Sequence, residues 1–414
     1  MTRGISVRGM AVVHPIARAW ISTGGTGARN YDEFADDTEI TEIIASNPES
    51  ALAIEMPHRA PDSLGKDFAS ALPDAAVRLS RQRADGSYAP AENVVAAYRI
   101  EEPGRPDEAA YGIFAMVDTA QISTSADEPG LVIRNEDVFL DKVRERVALA
   151  RVTHHLLSPV LLLQTVRGEA LHEAIAAAVA GAGAPAVTDS DHAGRSHAVW
   201  PFAGDSPVAA RLLALAGAGE LVVADGNHRS LAAQSGGLRR FLAVITTPAS
   251  VSIEPYHRLI TDSPVPEPDL IARLEDMGGA VTAVRGRPTV PPTRGTVHLY
   301  VGGGVTYRVE LPTGPSSGVD SMDHAVVERV LLRDVLGLDP GDKRVVYVGG
   351  DYPPSWLEGE VDAGRAALAI LIAPVTVDEF VEVNLARARM PRKSTWFTPK
   401  ARAGLVLADL GAEV

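Results

Sequence analysis

Residues 221–233 read LVVADGNHRSLAA, and this stretch restricts the fold of the chain most. Leu221, Val222, Val223 and Ala224 form an apolar run long enough for one buried strand. Asp225, Gly226 and Asn227 then break the pattern with turn chemistry. Good helix formers follow from Ser230 to Gln234. Strand, tight turn and helix aim unpaired backbone N–H groups at whatever sits over the turn, and the helix dipole adds positive potential there. Gly226 lets a ligand approach the backbone, Arg229 supplies a planar fork of donors, and His228 is a titratable donor. Asp225, at the carboxyl end of the strand, is placed to hold a cation. The parts describe an anion site suited to phosphate. The plainer alternative is a strand–helix turn with Asn227 or Asp225 as N-cap and a surface arginine.

At 414 residues the chain can bury a large core and form two or three domains. A net charge of −14 argues against general nucleic-acid binding and against an anionic membrane surface, while leaving room for a local basic pocket. The absence of cysteine excludes disulfides, thiol catalysis and thiolate-bound zinc, and fits a cytoplasmic location. The first twenty residues have no signal-peptide pattern, and no apolar run is long enough to span a bilayer.

Along the chain, most of the acids between residues 32 and 42 read as a solvated face. Residues 61–82 read as helix with a break at Pro73, and 94–100 and 110–117 as paired strands. Residues 140–157 form the clearest helix of the first half, with His154 and His155 near its end. Strands at 160–163 and 241–245 and helices at 171–180 and 208–216 surround the central turn. A hairpin over Gly302–Gly304, a helix at 325–336 stopped by Gly337, and a capping box from Thr376 to Glu379 mark the later part. This alternation predicts a mixed α/β (α+β) protein. There is no Rossmann GxGxxG after a strand, no GxSxG elbow and no HExxH helix.

The second informative stretch is MPRKSTWFTPK, residues 390–400. Pro391 and Pro399 stiffen it, and Arg392, Lys393, Ser394, Thr395 and Lys400 sit beside Trp396 and Phe397. It reads either as a cationic loop presenting a flat aromatic surface to a phosphate and a base, or as a loop whose Trp-Phe pair plugs a core. Arg134-Asn135-Glu136-Asp137 offers Glu136 as a general base, or as a helix-start acid serving the dipole.

Four stretches taken together resemble a known family: IRNEDVFLDKVRERVALARVTHHLLSPVLLL, LVVADGNHRSLAA, EPYHRLI and MPRKSTWFTPKARAGL. They are similar to a bacterial family known as a domain of unknown function, number one-thousand-and-fifteen. Its turn reads DGHHR, its first motif carries His-Glu, and its last reads MPxKSTxFxPK. Here Asn227 and Asn135 stand where those two histidines would, and the acid is kept. The strand–turn–helix signature also resembles the ParB/sulfiredoxin superfamily, which includes kinases of free L-serine using ADP or ATP with magnesium. The resemblance implies a ParB/sulfiredoxin-like nucleotide-binding core within residues 1–250. It also implies an additional C-terminal α/β part, 251–414, that closes the site with the 390–400 loop. It further implies that Gly226, Asn227, His228, Arg229, Ser230, Lys393, Ser394 and Thr395 bind the nucleotide. Glu136, Asp225 and His228 would be catalytic, with Asp225 and Glu136 on Mg2+. The function implied is a nucleotide-dependent kinase phosphorylating the hydroxyl of a small metabolite, free L-serine or a similar amino acid, to give O-phosphoserine. The alternatives are a nucleotide-gated switch without turnover, or a phosphate-ester hydrolase in the same pocket. The partner expected is a small molecule rather than nucleic acid or membrane, and a homodimer is allowed.

Overall fold

The computed structural model describes residues 11–34, 37–123, 130–134, 136, 138–312 and 318–411. Asn135 and Asp137 of the early acidic motif lie outside the described residues. The chain divides into two compact units: residues 1–251 with 399–414, and residues 252–398.

The first unit is built on one large sheet. Its principal strands are β1 (Ile16–Ser22), β2 (Tyr88–Glu102), β3 (Arg105–Asp118), β4 (Val160–Gln164), β5 (Ser196–Ala203), β6 (Leu221–Asp225), β7 (Arg240–Thr246) and β8 (Val406–Asp409). Through its centre the order is β6-β4-β7-β3-β2-β1-β8, with β5 also paired to β2. The β4–β7 pair is parallel, and the neighbouring pairs are antiparallel. Its main helices are α1 (Phe68–Ala84), α2 (Leu140–Thr153), α3 (Gly168–Gly181), α4 (Pro207–Ala216) and α5 (Asn227–Ser235). Alternate strand residues point to opposite faces. Val160, Leu162, Ala243, Ile245, Ile113 and Ala115 therefore share one core with Leu171 and Ile175 of α3 and Leu212 of α4. A second core joins Ile44 and Leu52 to Leu79, Leu149 and Leu407.

Three local expectations are corrected. Pro73 does not break α1. It forfeits one hydrogen bond, while Asp67 caps the helix through Ser70 N–H (2.7 Å) and the buried Ala71, Leu72, Ala75 and Leu79 anchor it. Helix α2 ends at Thr153, because His154 adopts a left-handed cap at φ 56°. His155 then enters a two-residue strand against β8, where burial pushes its imidazole down in pKa. The acids at 32 and 33 are not a solvated face: their side chains are 7% and 4% exposed.

In the second unit, six strands run in the order 280–285, 305–310, 296–302, 368–372, 257–260 and 345–348. The 296–302 and 305–310 pair is the hairpin expected over Gly302–Gly304. Helix Glu267–Asp276 and the segment Asp323–Val335 cover one face, and helix Pro354–Asp362 the other. The helix expected at 325–336 is present, but from Val327 to Val335 it is wound as a π-helix. The capping box of Thr376 and Glu379 forms as expected. No helix among the described residues is long and apolar enough to cross a membrane.

Candidate active site

Strand β6 delivers Asp225 to the top of the sheet. Its register against β4 shifts between Val223 and Asp225, which re-aims the last residue of the strand. Gly226 follows as N-cap of α5 at φ 96°, a conformation that disfavours a side chain. A Cβ there would also lie 3.1 Å from Arg229 Nε. The N-cap is thus Gly226 rather than Asn227 or Asp225, and no side chain closes the first turn of the helix.

The first turn of α5 ties three other segments together. Asn227 Nδ2 donates to Glu136 Oε2 at 3.4 Å. His228 Nε2 accepts from the Phe139 backbone N–H at 3.0 Å, and the two rings stack at 6.0 Å. Ser230 Oγ donates to the Asn227 carbonyl at 3.0 Å. Arg229, expected on phosphate, is buried, and its terminal nitrogens turn inward. They donate to Asn30 Oδ1 at 3.1 Å, to the Pro159 carbonyl and to Asp225 Oδ2. Asp32 lies 3.9 Å away. Burial works against this cation, and Asp225, Asp32 and Glu55 outweigh it, so its pKa rises.

The other oxygen of Asp225 accepts from Lys400 Nζ at 3.2 Å. Lys400 returns to the first unit from the far end of the chain, and its side chain is 13% exposed. Asp225 is therefore held between two cations. Next to it Asn30 donates to Glu33, whose carboxyl burial pushes up in pKa while Lys400 and Arg29 pull it down.

The structure thus gathers Glu136, Asp225, Gly226, Asn227, His228, Arg229 and Ser230 around one turn and adds Lys400, Asn30 and Glu33 to them. Sequence reading gave Asn30 and Glu33 no site role and read Lys400 only as one cation of the candidate phosphate loop 390–400. Lys400 carried a signal as the last cation of MPRKSTWFTPK, whereas Asn30 and Glu33 stand in an unpatterned acidic stretch.

Lys393, Ser394 and Thr395 belong to the second unit. Lys393 adopts φ 53°, and its Nζ lies 5.6 Å from the Tyr256 ring. Arg258 fixes this loop: it is fully buried and donates to the carbonyls of Lys393 (3.0 Å) and Arg392 (3.1 Å). Ser394 is buried. Trp396 and Phe397 are a core plug, not an open aromatic surface. Trp396 lies edge-on to Tyr256 and donates to Asp351 at 3.2 Å, and Phe397 packs on Phe380.

Behind the turn, Ser158 Oγ donates to Glu55 Oε1 at 2.5 Å. Burial pushes the Glu55 carboxyl up in pKa, against the pull of Arg146 and of that hydrogen bond. The folded state therefore binds this proton more tightly than the unfolded state, and stability is lost as pH rises through the raised value. Glu55→Gln keeps the acceptor and removes the titration. At pH 8 it is expected to unfold a few degrees above wild type, with a smaller difference at pH 5. Thermal unfolding at the two pH values checks this, and equal midpoints at both would refute it.

The fold and the turn define a mixed α/β protein whose polar centre is a helix N-terminus flanked by carboxylates and a lysine. The chain belongs to the family described as Protein of unknown function (DUF1015), whose model matches residues 26–329. No curated protein matches it. Among solved structures it is similar to a conserved hypothetical protein from Pyrococcus furiosus, at 12% identity and TM-score 0.38, covering 69% of this chain and 90% of that one. It is also similar to a free serine kinase in complex with AMP, at 12% and 0.38, covering 69% and 87%. A third is C-terminally truncated SbnI from Staphylococcus aureus, at 13% and 0.38, covering 70% and 85%.

Proposed function

We propose that this protein is a nucleotide-dependent phosphotransferase acting on the hydroxyl of a small metabolite, with free L-serine or a similar amino acid as acceptor. The observation that carries this reading is Asp225, held between Lys400 and Arg229 at the N-terminus of α5. Helix N-terminal amides and an ammonium side by side suit a transferring phosphoryl group. The acceptor oxygen attacks the terminal phosphorus, the bond to the nucleotide's bridging oxygen breaks, and the acceptor proton passes to a carboxylate. Glu136, held beside the turn by the amide of Asn227, takes that proton. Lys400, oriented by Asp225, offsets charge on the phosphate oxygens. Arg229 acts through Asp225, and His228 fixes the segment that follows Glu136.

Asp225 fits the magnesium role poorly, because both its oxygens already accept from cations. No group of three or more metal-ligating side chains occurs among the described residues. A nucleotide-borne magnesium would supply further charge neutralisation, and no step above runs through it.

A thermal-shift titration of ATP, ADP and CTP, with and without magnesium, followed by a product assay with L-serine, tests the reading. At 100 times the dissociation constant a ligand stabilises by about 2.7 kcal/mol. Stabilisation with O-phosphoserine formed is the expected result. Glu136→Gln should keep the stabilisation and lower transfer by about 10²–10⁴-fold. Stabilisation without product would favour a switch, release of phosphate without an acceptor would favour a hydrolase, and no response to any nucleotide would sink the proposal.

A further inference from the structure

We propose that the cleft between α2 and α5 is a binding site for a small aliphatic carboxylate, lying behind the turn described above and sharing Arg229 with it. The cleft encloses about 50 Å3 and opens to solvent; a single water needs about 10–15 Å3 on this measure, so the cleft takes only a short chain of a few carbons. Its walls are aliphatic and aromatic, including Val147 and Ala150 of α2, Ala232 and Ala233 of α5, and Phe241 and Leu242 of β7. Such walls suit a short branched alkyl chain.

Arg146 and Glu55 belong to the same lining. The Arg146 side chain is 5% exposed, and its guanidinium lies 3.9 Å from the Tyr31 ring. Its NH2 donates to the Glu55 carbonyl at 3.0 Å. Its Nε and NH1 meet no hydrogen-bond acceptor among the described residues. Buried donors of this kind ordinarily have partners, and a guanidinium edge is matched by a carboxylate. Glu55 Oε2 is also buried and without a hydrogen-bond partner. Burial pushes the Glu55 carboxyl up in pKa, which lessens its repulsion of an entering carboxylate. An amine would face the arginine's charge, and an alcohol would leave the guanidinium edge half matched.

Methyl-resolved NMR of the full chain titrated with 4-methylpentanoate tests the site. Saturable shifts are expected on Val147, Leu149, Ala150 and Ala233, with 4-methylpentanol binding about tenfold more weakly. Arg146→Met keeps a stem over Tyr31 and should bring acid and alcohol to equal affinity. If that variant does not fold, the acid–alcohol comparison in wild type decides alone. No saturable shift up to about 20 mM, shifts confined elsewhere, or equal binding of acid and alcohol to wild type would each overturn the proposal.

Discussion

Asp225→Asn is expected to lower phosphoryl transfer by about 10²–10³-fold and to destabilise the first unit as well. The substitution leaves Arg229 buried beside a neutral amide, and Lys400 loses its counter-charge. Removing one member of a buried ion pair costs about 3–5 kcal/mol, and the partial exposure of Asp225 places the expected loss near the lower end. Asn30 and the Pro159 carbonyl still hold the guanidinium, so the unit should fold at moderate temperature. Denaturant unfolding and single-turnover transfer measure the two effects separately. An unchanged rate together with an unchanged midpoint would remove Asp225 from the site.

Lys400→Met is expected to act on function much more than on stability. Asp225 keeps Arg229 as a partner, so the folded state should lose about 1 kcal/mol. Transfer should fall by about 10²-fold, and the thermal shift produced by nucleotide should shrink, because an ammonium at the phosphate oxygens has gone. Lys400→Arg should restore only part of the rate, since a planar fork does not occupy the position of a compact point charge. A full thermal shift in Lys400→Met would place the phosphates elsewhere, and the backbone of α5 would then be tested next.

Much of the local structure was legible in the sequence. Alternating or continuous apolar runs located β4, β6 and β7, and the capping box fixed the helix after Thr376. Around the site, legibility depended on distance along the chain. Asp225, Gly226 and Arg229 are neighbours, so their grouping could be read directly. The pairing of Lys400 with Asp225 joins residues 175 positions apart, and no local pattern encodes it. The same limit hid the burial of Asp32 and Glu33, because an acidic run looks solvated until its partners are known. Arg229 shows the opposite difficulty. Its identity announced a charged site, but whether its fork faces a ligand or the interior depends on Asn30 and Pro159, which only the fold brings near. Trp396 and Phe397 were ambiguous for the same reason: an aromatic pair in a loop serves a ligand or a core equally well until its packing is seen.

The return of residues 399–411 to the first unit has a consequence for biosynthesis. Strand β8 pairs with β1 on one side and with residues 155–156 on the other, so both edges stay open while residues 252–398 are made. A ribosome-bound chain that has reached only residue 398 therefore lacks a strand of this sheet and the lysine that pairs with Asp225. Open strand edges invite pairing with other chains. Transcripts cut short before residue 399 should yield aggregates rather than a smaller working protein, and the nascent chain has most need of a chaperone during synthesis of the second unit.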